Sequence, residues 1–299
     1  MTKSGVRPAS YTCLFLAMLI GTFTAYAQAP AAWRVSVDPV RPVNGSPVLF
    51  RVTPPMALTS LTADWLDHKL AFRFSQKCGC WYALGGVGLA EKPGSYPLHL
   101  IGGDTTASRS MVFTHKVAVA AAHYPSTTIK VAPEYVEPPK ELTERIAQEE
   151  ALKKKAFADT APESLWMGKF LSPTNTEETG VFGSARVYNG IKKHQHAGQD
   201  FRAPVGTPVH ATNAGKVALA HALYFEGNCV MIDHGGGLMT IYMHLSEFHV
   251  KEGDVVTKGQ LLGLSGGTGR VTGPHLHFAL RWQGTYLDPA TLLKINTPL

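Results

Sequence analysis

Three short segments near the end of this chain concentrate side chains able to hold a metal ion and to move protons. They are His196-Ala197-Gly198-Gln199-Asp200-Phe201, Ile241-Tyr242-Met243-His244-Leu245 and Gly273-Pro274-His275-Leu276-His277-Phe278. Nine of the 13 histidines lie after residue 190, which is where chemistry is expected. Zn²⁺ accepts imidazole nitrogen and carboxylate oxygen, and a catalytic zinc keeps one of about four positions open. Two histidines and one aspartate from distant segments meet that count. The remaining histidines, with an ordinary pKa near ~6.5, are then available as proton handlers. There is no His-Glu-x-x-His helix, so the helical type of zinc-protease site is excluded. Taken singly, each histidine is more often structural than a ligand, and spacing alone leaves the two readings at even weight.

The elements that carry these residues read as strands and loops. Gly198 and Pro204 interrupt any helix through the first segment, which places it on a loop leading into a strand. Alternation sends Tyr242 and His244 to one face of the second segment. In the third it puts His275 and His277 on one face and Leu276 and Phe278 on the other. From Trp166 onward, β-prone runs such as Lys216 to Ala220, Cys229 to Asp233 and Leu261 to Leu264 are separated by Gly-rich turns. Residues 33–120 hold further short runs, among them Pro47 to Val52 and Ser110 to Thr114, punctuated by Gly and Pro; this pattern predicts a small, Ig-like antiparallel sandwich. That zone has no concentrated set of titratable residues, so scaffold or binding duty is expected of it.

A connector over 121–165 separates the two zones. Pro125, Pro133, Pro138 and Pro139 stiffen its entry, and Glu141 to Phe157 predicts one helix ending near Pro162. Acids come early in it, and Lys153-Lys154-Lys155 come late, where they suit the helix dipole and read as a solvated last turn.

The first 27 residues differ from the rest. Lys3 and Arg7 precede an apolar run from Cys13 to Ile20, and Ala25-Tyr26-Ala27 follows; that order predicts a secretory signal cut after Ala27, with no stable membrane span afterwards. Removing them lowers Lys+Arg from 28 to 26 against 22 acids, a net charge of +4. So mild a balance, without basic clusters, excludes a nucleic-acid binder and suits an anionic polymer. Three cysteines then remain. Cys78 and Cys80 are spaced unfavourably for mutual bonding in an extended strand, about 6.6 Å apart, and Cys229 reads as a buried thiol.

Taken together and in this order, the three segments resemble the lysostaphin-type (LytM-type) zinc metallopeptidases. The likeness runs from about Phe170 to Asp288 and includes Phe182-Gly183, Asp233-His234-Gly235-Gly236-Gly237, Gly253-Asp254-Val255-Val256, Gly259-Gln260-Leu261-Leu262-Gly263 and Thr268-Gly269. The resemblance implies one Zn²⁺ per chain, bound by His196, Asp200 and His277. It implies that His275 takes a proton from the attacking water, that His244 helps stabilise the tetrahedral intermediate, and that Tyr188 is the candidate oxyanion helper. It also implies a β-rich catalytic fold with an open groove and peptidoglycan stem peptides or cross-links as substrate, a D,D-endopeptidase being favoured. The expected organisation is a signal peptide at 1–27, an Ig-like domain at 28–124, a linker with one helix at 125–165 and a zinc peptidase domain at 166–299. A periplasmic location in a Gram-negative envelope goes with it. The rival reading is a non-hydrolytic, wall-binding regulator of another hydrolase; such proteins usually lack a ligand, and here none is replaced. Any regulatory protein partner is left unnamed by the residues.

Overall fold

The structure, a computed structural model, describes residues 32–103, 110–190 and 192–298, with residues 1, 2 and 5. The secretory signal expected at 1–27 lies outside the described residues apart from those three. Residues 32–299 form one compact unit, mainly of β structure. No helix among the described residues is long and apolar enough to cross a membrane.

Two four-stranded antiparallel sheets occupy residues 34–119. In one, Pro47–Thr53 and Cys80–Gly86 pair at the centre; in the other, Ser60–Trp65 and Gly94–Gly103 do. Their inward side chains, including Phe50, Trp65, Leu98 and Leu100, are buried in one cluster. That cluster also takes in Trp166, Phe170, Leu280, Trp282, Leu287 and Leu292 from the far end of the chain. Removing such large apolar side chains from water stabilises by about 1.5–3 kcal/mol each, so the two zones fold against one another through a continuous core.

Cys78 and Cys80 are joined by a disulfide, contrary to the sequence expectation. The expectation assumed extended backbone, but residues 76–79 form a turn in which Gly79 takes φ +58°, and the two Cα atoms close to 5.1 Å. Glycine reaches that left-handed conformation without a Cβ penalty. Cys229 is a fully buried free thiol.

The connector also differs in detail. Ser126–Ile129 is a strand, paired in parallel with Ala185–Tyr188, which in turn pairs with Lys192–Gln195. The helix runs Thr143–Ala158 and stops four residues short of Pro162. Lys153 is no solvated residue: its side chain is 12% exposed and its ammonium lies 2.6 Å from Glu226 and 2.7 Å from Glu150. Glu149 in the same helix accepts the Tyr224 backbone N–H at 2.7 Å. These contacts fasten the helix to the turn between Gly215–Leu223 and Gly227–Asp233.

The largest sheet has ten strands among the described residues. Its middle runs Gly198–Phe201, Leu276–Trp282, Leu238–Phe248, Gly227–Asp233, with antiparallel pairing throughout. Phe201, Tyr242, Leu276 and Phe278 point to its inner face and are buried together. The opposite face of these strands carries the candidate chemistry.

Candidate metal centre and active-site cleft

Asp200 and His277 are register partners on adjacent antiparallel strands, so their side chains stand side by side. His196 arrives from the loop before Gly198–Phe201. His277 Nδ1 lies 2.9 Å and His196 Nε2 3.0 Å from Asp200 Oδ1, and the two ring nitrogens are 3.0 Å apart. All three residues are buried. Gly198 makes this closeness possible: a Cβ there would sit 2.5 Å from His277 Nε2 and 2.6 Å from the Phe278 carbonyl oxygen.

The backbone fixes the tautomers. His196 Nδ1 donates to the Val181 carbonyl at 2.9 Å, which leaves Nε2 as a lone pair aimed at the Asp200 carboxylate. A lone pair facing an anion calls for a positive centre between them. The three donor atoms form a group able to hold a metal ion. Donors 2.0–2.1 Å from a tetrahedral zinc stand roughly 3.3 Å apart, so these need to move outward by only a few tenths of an ångström. The residues therefore fit a zinc ion.

Electrostatics agree with that fit. Burial favours the neutral carboxyl of Asp200, but contacts with His196 and His277 outweigh it and hold the group far below the usual carboxylate range. Burial pushes His277 down to about 4, against the pull of Asp200. An ionised carboxylate beside a neutral imidazole is the protonation state that ligation requires.

His244 and His275 face the same point. Their rings are 4.9 Å apart, and His244 is 6.1 Å from the ring of His277. His275 Nδ1 donates to the Gly273 carbonyl at 2.9 Å, which leaves Nε2, 3.7 Å from Asp200 Oδ1, as a proton acceptor. His244 Nδ1 donates to the Thr268 carbonyl at 2.8 Å, and burial first, then the neighbouring His277 and His275, lowers its pKa to about 3. His244 therefore enters the cleft as a neutral base, and His275 presents its Nε2 to the same point.

The expected sharing of a face by Tyr242 and His244 does not occur. Tyr242 turns inward and its hydroxyl accepts the Thr212 backbone N–H at 3.0 Å, whereas His244 lines the cleft with Met243. The cause is a β-bulge. Register slips between Asn228↔Leu245 and Val230↔Tyr242, and His244 sits in it at φ +64°, a conformation rare outside glycine. In the third segment His275 and His277 do share the cleft side, with Leu276 and Phe278 in the core.

Tyr188 lines the same cleft, a trough of about 1030 Å³, but its ring is buried and stacked under the guanidinium of Arg270 at 4.7 Å. Arg186, which sequence reasoning missed, pairs with Asp200 Oδ2 and lies 3.1 Å from His196 Nδ1. No spacing rule marks it; its position two residues before Tyr188 on one strand was the available signal.

Residues 194–289 match the family described as Peptidase family M23. They are an M23 peptidase domain. Over 104 residues the chain is 47% identical to "Peptidoglycan DD-endopeptidase ShyA" of Vibrio cholerae serotype O1, covering 35% of this chain and 24% of that protein. Over 111 residues it is 42% identical to lysostaphin of Staphylococcus simulans, covering 35% of this chain and 22% of that protein. The chain thus spans about a quarter of the length of the curated relatives it matches. A crystal structure of an M23 peptidase from Pseudomonas aeruginosa superposes on 85% of this chain and 95% of its own, with a TM-score of 0.63 and 28% identity. That likeness extends the shared fold beyond the M23 domain into the N-terminal sheets.

Proposed function

We propose that this chain is a zinc-dependent peptidoglycan endopeptidase that cleaves D,D cross-links between stem peptides outside the cytoplasm, in the periplasm of a Gram-negative envelope. The observation that carries the reading is the convergence of His196, Asp200 and His277 on one point, with His244 and His275 beside it in the same cleft. The named activities of the related proteins agree with it.

His196, Asp200 and His277 would hold one zinc per chain. When bound, zinc supplies Lewis acidity: it polarises a carbonyl and acidifies a water. The other roles fall to the chain's own atoms. His275 Nε2, nearest the cluster, takes a proton from the attacking water and later returns one to the leaving amine. His244, held by the Thr268 carbonyl, is the second proton handler, placed beside the point where the tetrahedral intermediate forms. Arg186 keeps Asp200 oriented through its second oxygen. Tyr188 contributes the wall on which the peptide lies.

The test is incubation of the full chain with cross-linked muropeptides of known structure, with products identified by mass. Scission between the two stem peptides is expected; intact dimers with the zinc-loaded protein would refute the reading.

A further inference from the structure

Among the described residues, the arginines, lysines and carboxylates that line the cleft are matched with one exception. Glu150 and Glu226 are occupied by Lys153, and Asp200 is occupied by Arg186 and the histidines. The guanidinium of Arg270 lines the same cleft, yet none of the ion pairs among the described residues includes it. It is not loose: its carbon lies 4.7 Å from the centre of the Tyr188 ring and 5.0 Å from that of Phe225, and its backbone N–H donates to the Phe225 carbonyl at 2.9 Å. Two aromatic faces therefore hold a planar cation in place without neutralising it. Stacking uses the faces of the guanidinium and leaves its edge donors in the plane, the geometry suited to a carboxylate.

The position ties Arg270 to the reaction centre. It belongs to the loop that leaves the sheet at Gly266 and returns at His275, which are bridged to one another. The same loop supplies the Thr268 carbonyl that orients His244 and the Gly273 carbonyl that orients His275. An anion seated on Arg270 would thus be bound by the element that aligns both proton handlers.

We propose that Arg270 is a specificity residue that takes a free carboxylate of the substrate peptide beside the scissile bond, with Tyr188 and Phe225 as its clamp. The inference rests on the peptidase reading for its substrate, and it distinguishes peptides with a free carboxylate from those in which that group is an amide. It also gives Tyr188 a duty apart from the oxyanion.

The experiment compares two muropeptide dimers, identical except that the stem-peptide carboxylate flanking the cross-link is free or amidated. Binding is measured by titration and cleavage by kcat and KM, for the full chain and for Arg270→Gln and Arg270→Lys. Charge-assisted hydrogen bonds of this kind predict a preference of roughly ten- to a hundredfold for the free acid, carried mainly in KM. Arg270→Gln should abolish the preference, and Arg270→Lys should keep part of it. Zinc content and melting temperature should match the parent in both variants, which separates recognition from a structural role of the clamp. Equal handling of the two dimers by the parent, or a preference that survives Arg270→Gln, would overturn the proposal while leaving the peptidase reading intact. Preferential binding of the free acid without cleavage would do the reverse.

Discussion

Asp200 is asked to serve three neighbours at once, and that load sorts the cleft's residues into two kinds. One oxygen faces His196 and His277 and the other is held by Arg186. Asp200→Ala and His277→Ala should therefore lose bound zinc and hydrolysis together. His275→Ala and His244→Ala should keep the metal and lose turnover by about 10²–10⁴-fold, the usual worth of a general base. Metal analysis beside rate measurement separates the two groups, and a zinc-free His275→Ala protein would show the assignment to be wrong. Arg186→Ala should weaken zinc binding by about 10–100-fold in competition with a chelator, and Arg186→Lys should recover part of it. Unchanged affinity in Arg186→Ala would remove its positioning role. The ligand types were legible in the sequence because zinc chemistry accepts so few side chains. Arg186 was not, since a lone arginine on a strand has no chemical signature until its partner is seen.

Strand alternation was legible where the strand is regular and failed where it is not. Gly273 to Phe278 reads as two faces and is two faces. His244 escaped because one bulge residue inverts alternation while leaving no mark in hydrophobic pattern. The Cys78–Cys80 bond escaped for a like reason: a turn replaced assumed extended chain. The Asp233-His234-Gly235-Gly236-Gly237 motif proves to be a docking turn. Asp233 Oδ2 accepts the Ala161 N–H at 2.7 Å, the Ala161 carbonyl accepts from Gly236 at 2.8 Å, and a Cβ on Gly235 would strike the Glu163 carbonyl. His234 inside it is fully buried, donating from Nδ1 to the Ala214 carbonyl and accepting at Nε2 from Thr240. Burial lowers its pKa from 6.5 to about 4. The unfolded chain therefore takes up a proton near pH 6.5 that the folded chain refuses until about pH 4. The stability this residue contributes is complete above pH 6.5 and is lost as the pH falls toward 4, by roughly 2 kcal/mol between pH 7.5 and 5. Denaturant titrations at those two pH values should show His234→Gln losing that share of the dependence. The same dependence in parent and variant would place the effect elsewhere.

At the scale of the molecule, the sequence divides into zones by composition, but composition says nothing of how two zones share a core. Leu287 packs so tightly on the N-terminal sheet that a Cβ at Gly86 would overlap its side chain, and Arg73 is sandwiched by Tyr82 and Trp166 at 5.4 and 5.5 Å. Calorimetry of the full chain should accordingly show one cooperative unfolding transition. Two separated transitions would mean that the shared core contributes little. Gly86→Val, which wedges that contact apart, should lower the melting temperature with zinc content unchanged. The wall of the cleft is likewise a joint product, since Thr127 and Ile129 of the connector line it together with Arg270. Tests of catalysis therefore belong on the intact chain. The central claim, that a metal held by His196, Asp200 and His277 drives hydrolysis of peptidoglycan cross-links, is tested most directly by one cycle on a cross-linked muropeptide dimer. Monomer release is followed before chelation, after verified removal of the metal, and after zinc is restored. Cleavage that disappears with the metal and returns with about one zinc per chain is the predicted result, and full cleavage by the metal-free protein would contradict it.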